Sequence, residues 1–377
     1  MPGLFRKVTK RFFIVFNVIF GVLFLLACAN SFLPPKTYWF IALLGLVFPV
    51  LLVLMIGFLI FWTVMRSRWA FLSLFLLLFG WFHVRAFYAF NLKPSFKEEK
   101  KPGSLRVITW NVHYLDQMYR PNQQKQSQRE PITNFLKQQN ADVICMQEFF
   151  ESQKPQFLAN IEFMKKEFGM PYHFFVDDYR QPKNVYQVGP VIFSKYPIVS
   201  TNRNEYSHSS LNAVESLINA DIDVNGTIVR VYTTHLQSVV FRKKEYRNIE
   251  RIKNVEDSLL EASRSIVNKL KQAYTFRGGQ ARLVRQELNK CPYPLIVCGD
   301  FNDVPNSFTY FHIKGDLQDA FLQRGFGIGR TYASLSPTLR IDYMFASRDF
   351  KVLQCKKVEL PFSDHYPVIA DLELAKQ

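Results

Sequence analysis

The first acidic residue of this 377-residue chain is Glu98, and nearly everything before it is apolar. Such a stretch has too little polar surface to cover a water-soluble globule, so it must be buried in lipid or in protein. Residues 12–33, FFIVFNVIFGVLFLLACANSFL, carry no charge and are long enough to cross a bilayer core. Residues 38–65 are equally uncharged, with Tyr38, Trp39 and Trp62 suited to the membrane–water boundaries, and Pro49 is tolerable where neighbouring helices satisfy the freed carbonyl. A third run, 69–90, contains His83 and Arg85; it crosses if that charged end snorkels and otherwise lies in the interface.

Basic residues set the expected orientation. Arg6, Lys7, Lys10 and Arg11 precede the first run and Arg66 and Arg68 follow the second, whereas the connection between them holds only Lys36. The N-terminus is therefore expected inside. Three spans place the rest of the chain outside the cytoplasmic membrane of a bacterium-like cell, and two spans leave it inside; the reading adopted is three (12–33, 38–65, 69–90). A rival reading, a cleaved signal, rests on LLAC at 25–28 and ACA at 27–29, but two more apolar runs follow at once.

Residues 1–92 thus read as an anchor, 93–103 as a charged linker with Pro94, Pro102 and Gly103, and 104–377 as a separate domain that alternates strands and helices. Eight of the 47 basic residues lie in the anchor, leaving 39 against 31 acids beyond it. That net +8 suits a polyanionic or phosphate-bearing partner and equally a domain beside anionic lipid. Short β-rich runs follow at 105–111, 141–148, 172–178, 189–195, 216–224, 227–236, 294–300, 340–347 and 367–374. Several are apolar on both faces, as strands of a covered sheet are. Helical patterns occur at 132–139 and 155–168, with a long one at 241–274 that ends before Gly278-Gly279 and a second near 281–289. Arg242, Lys243, Lys244, Arg247, Arg251 and Lys253 read either as a nucleic-acid surface or as a solvated face interleaved with Glu245, Glu250, Glu256 and Glu261. The five cysteines form no C-x-x-C pair, and Cys145 and Cys298 read as small buried thiols.

Polar residues gather where these apolar strands end. VITWN closes on Asn111, VICMQE on Gln147 and Glu148, and VYTTHLQS delivers His235 and Gln237. LIVCGDFND supplies Asp300, Asn302 and Asp303, RIDYMF supplies Arg340 and Asp342, and PFSDHYPV supplies Ser363, Asp364 and His365. One Asn or Asp at a strand end makes a turn; six such sites are hard to explain that way. Buried carboxylates cost free energy unless paired or metal-bound. If the strands share a sheet, their ends converge on one pocket rich in carboxylate and amide oxygen, a donor set for Mg²⁺ or Mn²⁺ and not for zinc. No phosphate-binding loop of the G-x-x-x-x-G-K-[ST] type and no G-x-S-x-G elbow is present. Metal-assisted attack of water on a phosphoryl centre is the chemistry such an inventory suits.

In order along the chain, W-N-V-H, D-V-I-C-M-Q-E, G-P-V-I-F-S-K-Y-P-I, T-H-L, G-D-F-N-D-V-P, R-I-D-Y-M-F and S-D-H-Y-P-V resemble the blocks of the endonuclease/exonuclease/phosphatase (DNase I-like) superfamily over about residues 104–374. The resemblance implies an α/β four-layer α-β-β-α sandwich, with the site at one end of the sandwich and N-terminal transmembrane helices attached. It also implies roles. Asn111, Glu148 and Asp364 would be metal ligands, Asp300 would orient or deprotonate the attacking water, and Asn302 would hold the phosphate and that water. His365 would contact the phosphoryl oxygens or act as general base, Asp342 would orient it, and His235 would be a second acid or transition-state donor. For Asp303, Gln147, Gln237 and Arg340 a structural role is weighed beside direct chemistry, and His113 is set aside. The function implied is a membrane-anchored, Mg²⁺- or Mn²⁺-dependent phosphoesterase acting on nucleic acid or a phospholipid-like ester, with no obligate protein partner. The alternative is an inactive, membrane-tethered binding protein on the same fold.

Overall fold

The computed structural model describes residues 2–92, 96–117, 127–154, 157, 159–181, 185–206, 215–239 and 259–375. The described residues form two compact units. The first takes in residues 1–88 together with parts of 239–278 and 304–311. Its helices are α1 (Pro2–Ala29), α2 (Pro35–Val64), α3 (Trp69–Phe79) and α4 (Trp81–Phe87). Two of them, over Lys7–Ala29 and Pro35–Val64, are long and apolar enough to cross a membrane. The third apolar run is not one rod. It bends by 61° at Gly80, and its helix stops at Phe87.

Side-chain pairs give the helix directions. Phe13 meets Phe61, Phe20 meets Phe58 and Phe24 meets Phe48, with ring centroids 4.9, 6.2 and 5.5 Å apart, so α1 and α2 are antiparallel. Along α1 and the bent pair the numbers instead rise together. Ser73 Oγ donates to Asn17 Oδ1 at 3.1 Å, Gly21 lies against Leu76, Gly80 lies against Phe24 and Cys28, and Ser31 Oγ is 3.0 Å from His83 Nε2. These small and polar residues supply the close approach and hydrogen bonding on which helix association in lipid depends.

The second unit comprises residues 89–238, 279–303 and 312–377. Its strands are β1 (Ala89–Phe90), β2 (Leu105–Asn111), β3 (Val143–Glu151), β4 (Tyr172–Phe175), β5 (Tyr179–Arg180), β6 (Gln187–Ser194), β7 (Ile198–Glu205), β8 (Ser216–Val224), β9 (Thr227–His235), β10 (Leu295–Asp300), β11 (Gln318–Asp319), β12 (Phe326–Gly327), β13 (Asp342–Ala346), β14 (Phe350–Lys357) and β15 (Val368–Leu374). They build a six-stranded sheet, β11-β13-β10-β9-β8-β7, and a seven-stranded one, β14-β15-β2-β3-β6-β4 with β5 beside β6. Period-2 alternation assigns the faces. Val107, Val143 and Cys145 of one sheet pack with Val231, Ile296, Cys298 and Met344 of the other, making the inner core. The alternate residues Ile108, Trp110, Ile144 and Met146 face outward onto Ile132, Leu136 and Met164 of α5 (Arg129–Gln138) and α6 (Asn160–Phe168). On the outer side of the second sheet the Tyr232 hydroxyl donates to the Glu287 carbonyl. The expected four-layer sandwich is what forms.

Two expectations need correction. Gly278-Gly279 does not break a helix, since α7 runs unbroken over Leu259–Asn289. Glycine in a helix costs only about 1 kcal/mol relative to alanine. At Gly278 the missing side chain has a use, because a Cβ there would come within 3.0 Å of Pro35. Strands β7 and β14 were also not foreseen; β7 is a mostly exposed edge strand whose sequence, IVSTNRNE, has little of the alternation that marks its neighbours. The basic residues between Arg242 and Lys253 lie outside the described residues.

Gly299 is the tightest backbone position at the site's edge. Its φ of +139° and the Thr234 carbonyl only 2.0 Å from where a Cβ would stand leave room for glycine alone. Gly299→Ala is expected to destabilise the domain by about 3 kcal/mol through strain and overpacking, read as a lowered unfolding midpoint of the purified chain; an unchanged midpoint would contradict this packing.

Candidate active site

Strand register brings the expected residues together. β9 and β10 are parallel with His235 opposite Asp300, and β10 and β13 are antiparallel with Asp300 opposite Asp342. Three functional side chains of the six-stranded sheet therefore stand at one level, Asp300 in the centre. In the other sheet Asn111 pairs with Gln147 across parallel β2 and β3. The two sheets are stitched at this end by Gln147, fully buried, whose Nε2 donates to Thr109 Oγ1 at 3.1 Å and to Thr233 Oγ1 at 2.8 Å.

Glu148 reaches the site by a departure from regular strand. The pairing of β3 with β6 slips between Met146 and Phe149, and Glu148 takes φ +50°, a left-handed backbone uncommon outside glycine and asparagine. Bulges of this kind re-aim a side chain. Asn302 (φ +52°) adopts the same region, which asparagine tolerates, and its amide N–H donates back to Asp300 Oδ1 at 2.8 Å.

Asp300, 1 % exposed, is the hub. Its Oδ2 accepts from Asn111 Nδ2 at 3.1 Å and Asn302 Nδ2 at 3.2 Å, and lies 3.6 Å from both His235 Nε2 and His365 Nε2. Glu148 Oε1 is 3.6 Å from His235 Nε2 and accepts from Asn111 Nδ2 at 3.2 Å. His365 is held from several sides: its Nδ1 faces Asp342 Oδ2 at 3.0 Å, its carbonyl accepts from Trp110 Nε1 at 2.9 Å, and Tyr332 lies against its ring at 4.9 Å. Thr331 Oγ1 in turn accepts from the backbone N–H of Asp342 at 3.0 Å.

Burial raises the Asp300 carboxyl; His365, His235 and the Asn302 N–H oppose that rise and Asp342 reinforces it. For His365 burial works downward, but the carboxylates of Asp342 and Asp300 and the hydrogen bond to Asp342 outweigh it and carry the imidazole up to about 10. His235 also loses by burial and is raised on balance by Glu148, Asp300 and Glu215.

The remaining expected residues divide. Asp364 accepts from Ser363 Oγ at 3.4 Å, and the same hydroxyl donates to the Asn111 carbonyl at 2.8 Å. Asn111 turns its amide nitrogen, not its oxygen, to Glu148 and Asp300, while the oxygen accepts from His113 N–H at 3.1 Å. Arg340 is spent on a buried ion pair with Asp319 at 2.8 Å. The Asp303 carbonyl accepts from Tyr343 Oη at 2.8 Å, and Gln237 N–H donates to Gln280 Oε1 at 2.9 Å. Two acids near His235 escaped sequence reasoning. Burial lifts Asp178 to about 7 although Ser216 Oγ donates to it at 2.6 Å, and it lifts Glu215, which accepts from Gln280 Nε2 at 3.0 Å. The signal was an acid beside an apolar strand, the same one that marked Asp300.

The donor set suits a hard divalent cation. Asp300, Asp342 and His365 each offer a ligand atom within 4.8 Å of the others, and Glu148 adds a carboxylate beside them. Three carboxylates meet two imidazoles here, so the cluster stays negative even with both imidazoles protonated, a surplus that a cation removes.

A model of the Endonuclease/Exonuclease/phosphatase family matches residues 108–365, more than half of the chain. The chain belongs to the endonuclease/exonuclease/phosphatase family. Residues 10–87 match a separate domain of unknown function. Solved structures of similar fold include an endonuclease/exonuclease/phosphatase from Beutenbergia cavernae, 19 % identical, covering 72 % of each chain with a TM-score of 0.51. A family protein from Leptotrichia buccalis is 16 % identical over 72 % of this chain and 100 % of its own, with a TM-score of 0.50. The human Nocturnin catalytic domain, determined with bound sulfate, is 18 % identical over 76 % of this chain and 100 % of its own, also at 0.50. No curated protein matches. Members of the endonuclease/exonuclease/phosphatase family are phosphoesterases.

Replacing Asp342 by Asn removes the carboxylate hydrogen-bonded to His365 Nδ1, the charge that does most to hold the ring protonated. The imidazole titration midpoint, followed by NMR with histidine-selective labelling in metal-free buffer, is expected to fall from about 10 toward the ordinary histidine value near 6.5; no movement would mean that Asp342 does not govern this ring.

Proposed function

We propose that the chain is a membrane-anchored, divalent-metal-dependent hydrolase of phosphodiesters. The observation that carries the proposal is the convergence of His235 and His365 on one buried Asp300 oxygen, each at 3.6 Å, with Glu148 3.6 Å from His235. Glu148 and Asp364, with Asn111 after a half-turn of its amide, would hold Mg²⁺ or Mn²⁺, and the cation when bound would neutralise phosphate charge and polarise the phosphoryl group. Asp300, fixed by the backbone N–H and side-chain amide of Asn302, orients the attacking water and takes its proton. The Asn302 side chain, whose Nδ2 also donates to the Leu236 carbonyl at 2.9 Å, positions the phosphate and that water.

His365, kept protonated by Asp342, donates to a phosphoryl oxygen as negative charge grows in the transition state. His235, raised by the acids around it, stands on the other side of Asp300 as the second proton donor, for the leaving oxygen. Asp342 does not contact substrate; it orients and charges His365 as a carboxylate does for an imidazole base.

The bent pair α3–α4 is read as the third crossing. Its residues run alongside α1 in the same direction, so it returns the chain to the side of the 30–34 connection. With the basic residues of the N-terminus and the 66–68 turn inside, the catalytic domain lies outside the cytoplasmic membrane.

The test uses the full chain in detergent with bis(p-nitrophenyl) phosphate. Turnover is expected with Mg²⁺ or Mn²⁺ and is lost on chelation. Asp300→Asn and His365→Ala are each expected to lower kcat by about 10²–10⁴ while the unfolding midpoint stays folded-like. Undiminished turnover in either variant contradicts the assignment, and no turnover in the parent chain favours a tethered binding protein.

A further inference from the structure

The peptide group joining Leu236 to Gln237, just past the end of β9, is held at both of its polar ends. Its carbonyl accepts from Asn302 Nδ2 at 2.9 Å, and its N–H donates to Gln280 Oε1 at 2.9 Å. Gln280 of α7 turns its Nε2 to Glu215 Oε2 at 3.0 Å, immediately before β8 begins. The strap is also tied to the end of β10, since Leu236 N–H donates to the Asp300 carbonyl at 2.9 Å. A continuous chain of hydrogen bonds therefore runs from Glu215 through Gln280 and one peptide group to the Asn302 side chain. It ends on Asp300 Oδ2, which accepts from the same Asn302 nitrogen at 3.2 Å. Glu215, Gln280 and Gln237 are all buried.

The direction of each link is set by chemistry. A peptide N–H only donates, so the Gln280 atom facing Gln237 is oxygen and its nitrogen faces Glu215. A peptide carbonyl only accepts, so the Asn302 atom facing Leu236 is nitrogen. That nitrogen carries two hydrogens and meets two acceptors, the Leu236 carbonyl and Asp300 Oδ2. Turning the Asn302 amide over would set its oxygen against both. The amide and peptide dipoles lie head to tail, with a carboxylate at the head, so each carbonyl along the chain is made a better acceptor for the next donor. Burying an acid at 215 costs free energy that an apolar side chain there would not. The chain it heads gives that acid a use.

We propose that Glu215 and Gln280 are positioning residues for the phosphate chemistry: through the Leu236–Gln237 peptide they hold the Asn302 amide in the one orientation that serves the attacking water and the phosphate. This rests on the hydrolase reading of the site and extends it to two residues that none of the sequence motifs contains.

The experiment compares variants of the full chain in detergent, with bis(p-nitrophenyl) phosphate and Mg²⁺ or Mn²⁺. Gln280→Leu keeps the volume and loses both hydrogen bonds. It is expected to lower kcat by about 10- to 100-fold with KM within about threefold, the scale of loss for a group displaced by up to about 1 Å. Gln280→Glu sets a second carboxylate against Glu215 and is expected to cost as much. Glu215→Gln combined with Gln280→Glu reverses the pair at unchanged net charge. The amide introduced at 215 then donates to the carboxylate introduced at 280, whose second oxygen accepts from Gln237 N–H. Its kcat is expected to return to within about threefold of the parent. A general loss of packing would not be undone by a second substitution, and this pair carries the test if Gln280→Leu does not fold. The Asn302 side-chain amide signal, seen by asparagine-selective ¹⁵N NMR and identified by its loss in Asn302→Asp, is expected to shift in Gln280→Leu and to return in the double variant. If the parent turns over and Gln280→Leu matches it, if the double variant stays as slow as Gln280→Glu, or if the Asn302 signal does not move, the positioning proposal is overturned and the hydrolase reading stands. If the parent hydrolyses nothing, the hydrolase reading fails and the positioning role falls with it.

Discussion

At the end of β10 a carboxylate almost wholly removed from water has one oxygen within 3.6 Å of two imidazoles and two amide nitrogens. An ionised Asp300 in that position is costly unless every neighbour is arranged for it. The arrangement is made by the fold. Parallel pairing delivers His235, antiparallel pairing delivers Asp342 and through it His365, and the facing sheet supplies Asn111 and Glu148. Shift one strand by a residue and a side chain passes to the opposite face. The inner core, the Gln147 clamp on Thr109 and Thr233 and the close approach at Gly299 all hold that register.

Much of this was legible in the sequence because the signals were chemical. A short polar side chain closing an apolar strand is out of place in a covered sheet, and repeated at Asn111, Glu148, His235, Asp300, Asp342 and His365 it points to one pocket. The strand register and hydrogen bonds bring these six side chains to one end of the two sheets. What sequence could not supply was orientation. The Asn111 amide meets the carboxylates through nitrogen, the bulge that aims Glu148 leaves no mark in VICMQEFF, and Arg340 pairs with Asp319, which is 21 residues distant. Asp178 and Glu215 were missed because neither belongs to a motif, though both sit close enough to His235 to affect its protonation. Edge strand β7 was missed because an exposed strand lacks the period that betrays a buried one.

The apolar N-terminal region was legible in kind and less so in shape. Composition read it as an anchor, and two of its helices are long and apolar enough to cross a membrane, but the 61° bend in the third run and the parallel course of that run beside α1 come from packing at Gly21 and Gly80. Glycine there signals close approach, just as Gly278 against Pro35 does within α7. Reading Gly278-Gly279 as a helix terminator took the weaker of glycine's two meanings.

The central claim is that Glu148 and the strand-end residues around it hold one divalent cation. It is tested most directly by titrating Mn²⁺ into the detergent-solubilised chain and following the free-ion electron paramagnetic resonance signal. Saturable binding that is lost or strongly weakened in both Glu148→Gln and Asp364→Asn is the expected result. Binding left intact in both variants, or no saturable binding at all, would contradict it.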